Sequence, residues 1–178
     1  MKDASLFIDL ETLGTTPASV ITEIGAVAFH RGDFSTLDTF ESHLDIPSQI
    51  VAGRTLSAAT IDFHRKHGSL PVEWAGSNRE APQDALDRFR IFVRNVKPRR
   101  VWIWGADFDR PAIEDVLSSI NRGLPWHFGI TRDARTVWDM AFPDVRHDPR
   151  PHRAFEDCMA SIRDLRNALA ELGRLESV

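Results

Sequence analysis

Apolar and polar positions divide the chain into alternating strand-like and helix-like stretches. Leu6 to Thr12 is a short apolar run rich in strand formers, with Gly14 and Pro17 soon after it, and reads as a first strand. Thr12 to Ser19 reads as a turn and Val20 to His30 as a buried strand. Gly32-Asp33 marks a hairpin, and Leu37 to Leu44 alternates as a third strand that Pro47 closes. These three strands predict an antiparallel meander. Ser57 to His67 has a helix-capping serine before it and Gly68 after it. Gly76 to Pro82 is polar and aperiodic, a loop. Gln83 to Val96 has helical spacing, which Lys97-Pro98-Arg99-Arg100 breaks. Val101 to Trp104 reads as a buried strand and Asp109 to Asn121 as a helix. Gly123 to Gly129 is a loop, Thr131 to Phe142 a helix capped by Thr131, and Pro143 to Pro151 a loop. A last helix runs from Arg153 to Leu172 and ends at Gly173. A meander followed by alternating helices and strands predicts an α/β sheet with helices packed on it.

The first strand carries the first candidate chemistry. Alternate side chains of a strand share a face, so Asp9 and Glu11 point the same way, with Cα atoms about 6–7 Å apart. Phe7 shares that face, and Leu6, Ile8 and Leu10 occupy the other. Two carboxylates this close repel, burial sharpens the repulsion, and a hard divalent cation relieves it. A strand tip with two solvated acids gives the same pattern, so other residues must decide. Gly105-Ala106-Asp107-Phe108-Asp109 follows a buried strand and opens a helix, where Asp107 or Asp109 could equally be an ordinary cap. His152 and Asp157 lie at the start of the last helix, with His147 nearby as a surface histidine.

Composition narrows the class. The chain has 178 residues, 42% hydrophobic and 27% charged, which fits one domain with one sizeable core. A single cysteine, Cys158, rules out an intrachain disulfide and suits a reduced, cytoplasmic setting. The N-terminal residues lack the pattern of a signal peptide, and no stretch approaches the length of a membrane span. The net charge of −4 is not that of a bulk nucleic-acid binder. Cations held by acids can still bring such a chain to a few nucleotides of substrate.

In this order, Asp9-x-Glu11, Phe108-Asp109 and His152-x4-Asp157 resemble the three motifs of the DEDDh branch of ribonuclease H-like 3'–5' exonucleases. The chain is similar to the small exonucleases of the exodeoxyribonuclease VIII-like and actinobacterial 3'–5' exoribonuclease group. Trp104-Gly105 to Phe108-Asp109, Pro125-Trp126-His127-Phe128 and Arg132-Asp133-x-Arg135-Thr136 add to that likeness. The chain has no tyrosine, so the sister branch that uses tyrosine in place of the histidine is excluded. The resemblance implies a ribonuclease H-like mixed sheet, three antiparallel strands then parallel ones, flanked by helices.

It further implies that Asp9, Glu11, Asp109 and Asp157 hold two divalent ions, Mg2+ or Mn2+, and that His152 is the general base. The substrate would be single-stranded or 3'-overhang RNA or DNA, with RNA favoured. A DNA-directed exonuclease of phage or repair type, or a catalytically silent nucleic-acid-binding module, are the rivals. Thr12 and Leu13 are candidate contacts to the terminal nucleotide, or else a turn residue and a core leucine. Trp126 and Phe128 stack on a base or pack in the core. Asp133 with Arg132 and Arg135 reads as a structural ion network. Arg153 reads as a solvated helix-start arginine or a phosphate contact. Phe63 and Trp74 could serve a homodimer interface or the core.

Overall fold

The computed structural model describes residues 3–76, 78–105 and 107–173. Ser77, in the expected Gly76–Pro82 loop, and Ala106, in the Gly105–Asp109 stretch, lie outside them. A five-stranded sheet has the order β3-β2-β1-β4-β5. β1 (Ala4–Thr12), β2 (Ile21–His30) and β3 (Thr36–His43) form the expected antiparallel meander. β4 (Val101–Ile103) pairs parallel with β1, and β5 (Thr131–Asp133) pairs parallel with β4. β1 is therefore the central strand.

The alternation along β1 divides the core in two. Leu6, Ile8 and Leu10 face a cluster that includes Leu86, Phe89 and Val93 of α3 (Pro82–Val96) and Ile113 and Leu117 of α4 (Asp109–Ser119). Phe7 faces the other side, with Val27, Ala134 of α5 (Ala134–Ala141), and Cys158, Ile162 and Leu165 of α6 (Ala154–Glu171). Helices thus cover both faces, as a sheet with parallel central pairs requires. No described helix is long and apolar enough to cross a membrane.

Two short elements differ from the pattern-based expectation. Pro47 does not simply end the third strand: it sits in the first turn of α1 (Ile46–Val51), which Asp45 caps by accepting from Ser48 N at 2.8 Å. Proline fits a first helical turn because its missing N–H has no partner to lose there. Thr131 begins a strand, not a helix. Asp133 caps α5 instead, its Oδ1 accepting from Arg135 N at 3.0 Å. The register Val101↔Thr131, Trp102↔Arg132 and Ile103↔Asp133 overrides the local helix signal over those three residues. α2 (Ala58–His67) keeps its expected limits, with Ser57 as cap and Gly68 left-handed at its end.

Candidate active site

β1 delivers Asp9 and Glu11 at its carboxyl end, opposite Gly25 and Glu23 of β2. Both partners bring α6 to the site. A Cβ on Gly25 would stand 2.4 Å from the Ala154 carbonyl carbon, so only glycine admits the first turn of α6 against the sheet here. Glu23, 3% exposed, accepts from Ala154 N at 3.1 Å and lies 3.3 Å from the Arg153 guanidinium. Its carboxylate thereby caps a helix that lacks a side-chain cap of its own. Docked this way, the first turn of α6 presents Asp157, and the residues before it present His152.

Asp109 arrives from the first turn of α4. The turn before it bends at Gly105, whose φ of 88° is left-handed, and Gly105 N donates to Asp133 Oδ1 at 3.0 Å. Asp133 is thus a scaffold for the Asp109 turn, holding backbone amides in place of the expected ion network.

Asp9, Glu11, Asp109, His152 and Asp157 all line one open cleft of about 650 Å³. Glu11 is 8% exposed, and Asp109 and Asp157 are 4% exposed each. Burial, then Asp109, Glu11 and Asp157, push the Asp9 carboxyl well above the usual carboxylate range. Burial, then Asp157 and Glu23, push Glu11 up to about 9. Asp109 also rises well above the usual range through burial, against the opposing charge of Arg135. Asp157 rises to about 6 through burial, opposed chiefly by Arg150. Carboxyls raised together by burial and mutual repulsion are short of positive charge. Asp157 Oδ1 is buried with no hydrogen-bond partner, and one ligand atom each of Glu11, His152 and Asp157 lies within 4.8 Å of the others. Buried oxygens that lack partners, with hard donors converging on one space, fit divalent cations.

His152 has a left-handed backbone, φ 56°, a region uncommon outside glycine and entered by asparagine, aspartate and histidine more than by other residues. Its ring packs edge-on against Phe63, centroids 4.8 Å apart, and 5.5 Å from His67. Burial, then His64 and His67, lower its pKa, so the imidazole is neutral near pH 7. His64, a buried residue of α2, is a second imidazole with no motif around it to single it out. Its Nε2 donates to the Thr12 carbonyl at 2.9 Å, and Nδ1 then accepts from the Ser69 hydroxyl at 2.8 Å. This hydrogen-bonded neutral ring ties α2 to the end of β1.

Two arginines reach the same cleft. Arg150 is held by Asp164 at 2.8 Å and stacks over Trp104, 4.8 Å from the ring centre. Arg135 lines the cleft beside Gly105. No local motif distinguishes Glu23, His64 and Arg150 from other charged residues, whereas Arg135 belongs to the Arg132-Asp133-x-Arg135-Thr136 stretch. Only the single unusual Gly at position 25, inside an apolar strand, signals a close approach of backbone.

The softer expectations divide. Thr12 lines the cleft, its hydroxyl donating to the Gly14 carbonyl at 2.7 Å. Leu13 does not line it: the side chain is 0% exposed among Val20, Ile46 and Ile61, so its core reading replaces the wedge reading. Trp126 is likewise core, 8% exposed, edge-on to Phe89 and donating from Nε1 to Thr131 Oγ1 at 3.1 Å. It borders a separate groove with the exposed Phe128, away from the acids. Asp107 is exposed, and its charge adds to the rise of Asp109. Arg153 is part-exposed, its Nη1 shared between Glu23 and the Ser69 carbonyl. Trp74 packs on the Leu13 cluster, whereas Phe63 is 40% exposed and lines the cleft. The ring of His147 packs 4.9 Å from Trp104.

With this geometry in place, comparison with known proteins assigns the class. The sheet and its helices match the exonuclease fold. The zinc-bound E. coli exonuclease I–single-stranded DNA complex superposes with a TM-score of 0.76 at 14% identity, covering 98% of this chain and 42% of that one. The nuclease domain of 3'hExo, a DEDDh family member bound to rAMP, gives 0.63 at 15% identity, over 98% of this chain and 95% of that domain. Cell-death related nuclease 4 gives 0.57 at 13% identity, over 96% of this chain and 64% of that one. This chain therefore spans about two fifths of the length of the exonuclease I structures it matches. No curated protein matches it. The family model of the 3'-5' exoribonuclease Rv2179c-like domain matches residues 4–171, and the chain belongs to that family of 3'–5' exonucleases.

Proposed function

We propose that this chain removes nucleotides from the 3' end of single-stranded or 3'-overhang nucleic acid, RNA in preference to DNA, releasing nucleoside 5'-monophosphates. One observation carries the reading: four acids from β1, α4 and α6, three of them buried, meet beside a neutral histidine, with one carboxylate oxygen left unpartnered. Asp9, Glu11, Asp109 and Asp157 would hold two divalent cations, Mg2+ or Mn2+, whose combined charge balances four carboxylates. When bound, such ions acidify an attacking water and neutralise charge on the leaving 3'-oxygen.

The chain's own groups do the rest. A ring nitrogen of His152 accepts the proton as water attacks the terminal phosphorus and the bond to the 3'-oxygen breaks. Phe63 and His67 pack on His152 from one side and fix its ring. Arg150 and Arg135 supply fixed positive charge at the cleft wall, suited to the non-bridging phosphate oxygens. Thr12 sits where the terminal nucleotide enters.

The family description supports RNA, and so does the rAMP found with the 3'hExo domain. The single-stranded DNA in the exonuclease I complexes favours the DNA reading. Matched 3'-labelled ribo- and deoxyribo-oligonucleotides with Mg2+ decide between them. Stepwise 3' shortening of RNA to 5'-monophosphates is expected, faster than DNA. Activity that survives both Asp9→Ala and Asp157→Ala overturns the site. The same experiment run over a dilution series, with the molar mass measured in parallel, tests whether a homodimer is the active form.

A further inference from the structure

Glu11, His152 and Asp157 make a donor set different in kind from the four acids. Two members are carboxylates and the third is an imidazole nitrogen, with the three ligand atoms inside 4.8 Å. Both carboxylates are buried, and Asp157 Oδ1 has no partner. The imidazole is held at the set from behind, by the edge contact with Phe63 and by its left-handed backbone. Donors on one tetrahedral zinc ion stand about 3.4 Å apart, so a contraction of at most about 1.4 Å brings this set onto a single ion.

Cations divide over such a set. Mg2+ takes oxygen donors and leaves imidazole alone, whereas Zn2+ binds imidazole and carboxylate together and ranks above Mn2+ in affinity for a given site. The catalytic reading needs His152 free to accept a proton. An ion that recruits the same ring removes it from that task.

We propose that Glu11, His152 and Asp157 form an inhibitory transition-metal site, taken by Zn2+, in which His152 becomes a ligand and ceases to be the proton acceptor. The inference rests on the reading of Glu11 and Asp157 as cation ligands. It makes the enzyme sensitive to the identity of the cation as well as to its presence. Zinc at concentrations far below that of magnesium then silences a magnesium-loaded population.

The test is zinc binding to the metal-free protein without nucleic acid, read by competition with a chromophoric chelator. His152→Asn keeps a residue at ease in the left-handed conformation and removes the imidazole. It should bind zinc at least about tenfold more weakly than the native chain, because even the outer-sphere partners of a metal are worth about that much. The manganese-induced rise in melting temperature should stay within a twofold change in apparent affinity. Unchanged zinc affinity in this variant overturns the proposal. X-ray absorption on the native zinc complex gives a readout that needs no variant: a nitrogen donor is expected, and an all-oxygen shell overturns the assignment. Zinc lost in His152→Asn from a native chain that hydrolyses nothing would refute the exonuclease reading and leave this one standing.

Discussion

Two of the grooves that carry aromatic rings and titratable groups differ sharply in how their charges are compensated. The cleft at the end of β1 gathers Asp9, Glu11, Asp109, Asp157 and His152 from three elements. The groove beside α4 has Trp126, Phe128, His127 and Glu114 on its walls. In the second, each group is accounted for. Trp126 is core, His127 Nδ1 accepts from Gly129 N at 3.1 Å, and Phe128 stacks on His127 in solvent. In the first, the charges are buried and left short of counter-charge, at a cost in folding stability that packing elsewhere must offset. Aromatic exposure alone is ordinary surface, whereas uncompensated buried charge marks a place where something else binds.

Substitutions can break this contrast. Asp157→Asn should reduce hydrolysis of a 3'-labelled strand by about 10²–10³-fold, since single electrostatic contacts of this kind are worth about that much. The same variant should melt higher than the native chain in chelator, because it removes one of the repelling charges. A lower melting temperature there would show that the acids are not in conflict. His152→Ala should cost about 10²–10⁴ in kcat at pH 7 with little change in Mn2+ binding. Glu23→Ala should cost about 10–100-fold by loosening the α6 cap. Its conservative counterpart Glu23→Gln, still able to accept from Ala154 N, should recover part of that loss.

Titration of the metal-free protein sharpens the contrast further. Burial and the neighbouring acids push Glu11 up to about 9 in the fold against 4.5 for a free glutamate, so the folded chain holds a proton that the unfolded chain has released. Stability should therefore decline as pH rises from about 5 to 9, most plainly in melting curves taken in chelator. Added Mn2+ should cancel the decline, because a cation replaces the proton. A flat profile in chelator would remove the electrostatic case for the site. The smallest effect belongs to the other groove: Phe128→Ala should change kcat/KM less than about twofold, as expected of an exposed side chain outside the chemistry. A large loss there would make that groove part of the substrate path.

Much of this was legible along the chain because it depends on short-range rules. Period-two alternation placed Asp9 and Glu11 on one face of β1 and split Leu6, Ile8 and Leu10 from Phe7, as the two core clusters show. Ser57 and Gly68 bounded α2 through local capping. The ordered motifs pointed to the family before any packing was known. Thr131–Asp133 misled because strand pairing with β4 outweighed a local cap signal, and three residues are too few to show a period.

What the sequence alone determined is most of the elements and the order of the motifs that single out Asp9, Glu11, Asp109, His152 and Asp157, since periodicity and motif order need no neighbours in space. Tertiary structure alone decided which of the remaining candidates face the cleft. Leu13 went into the core among Val20, Ile46 and Ile61, and Trp126 into the space beside Phe89 of α3. Glu23 meets Ala154 and Arg153 because Gly25 lets α6 come close to the sheet, and His64, Arg135 and Arg150 reach the cleft from α2, α5 and the loop before α6. Contacts between residues more than a hundred positions apart leave no local mark in one sequence, and those contacts set the electrostatics of this site.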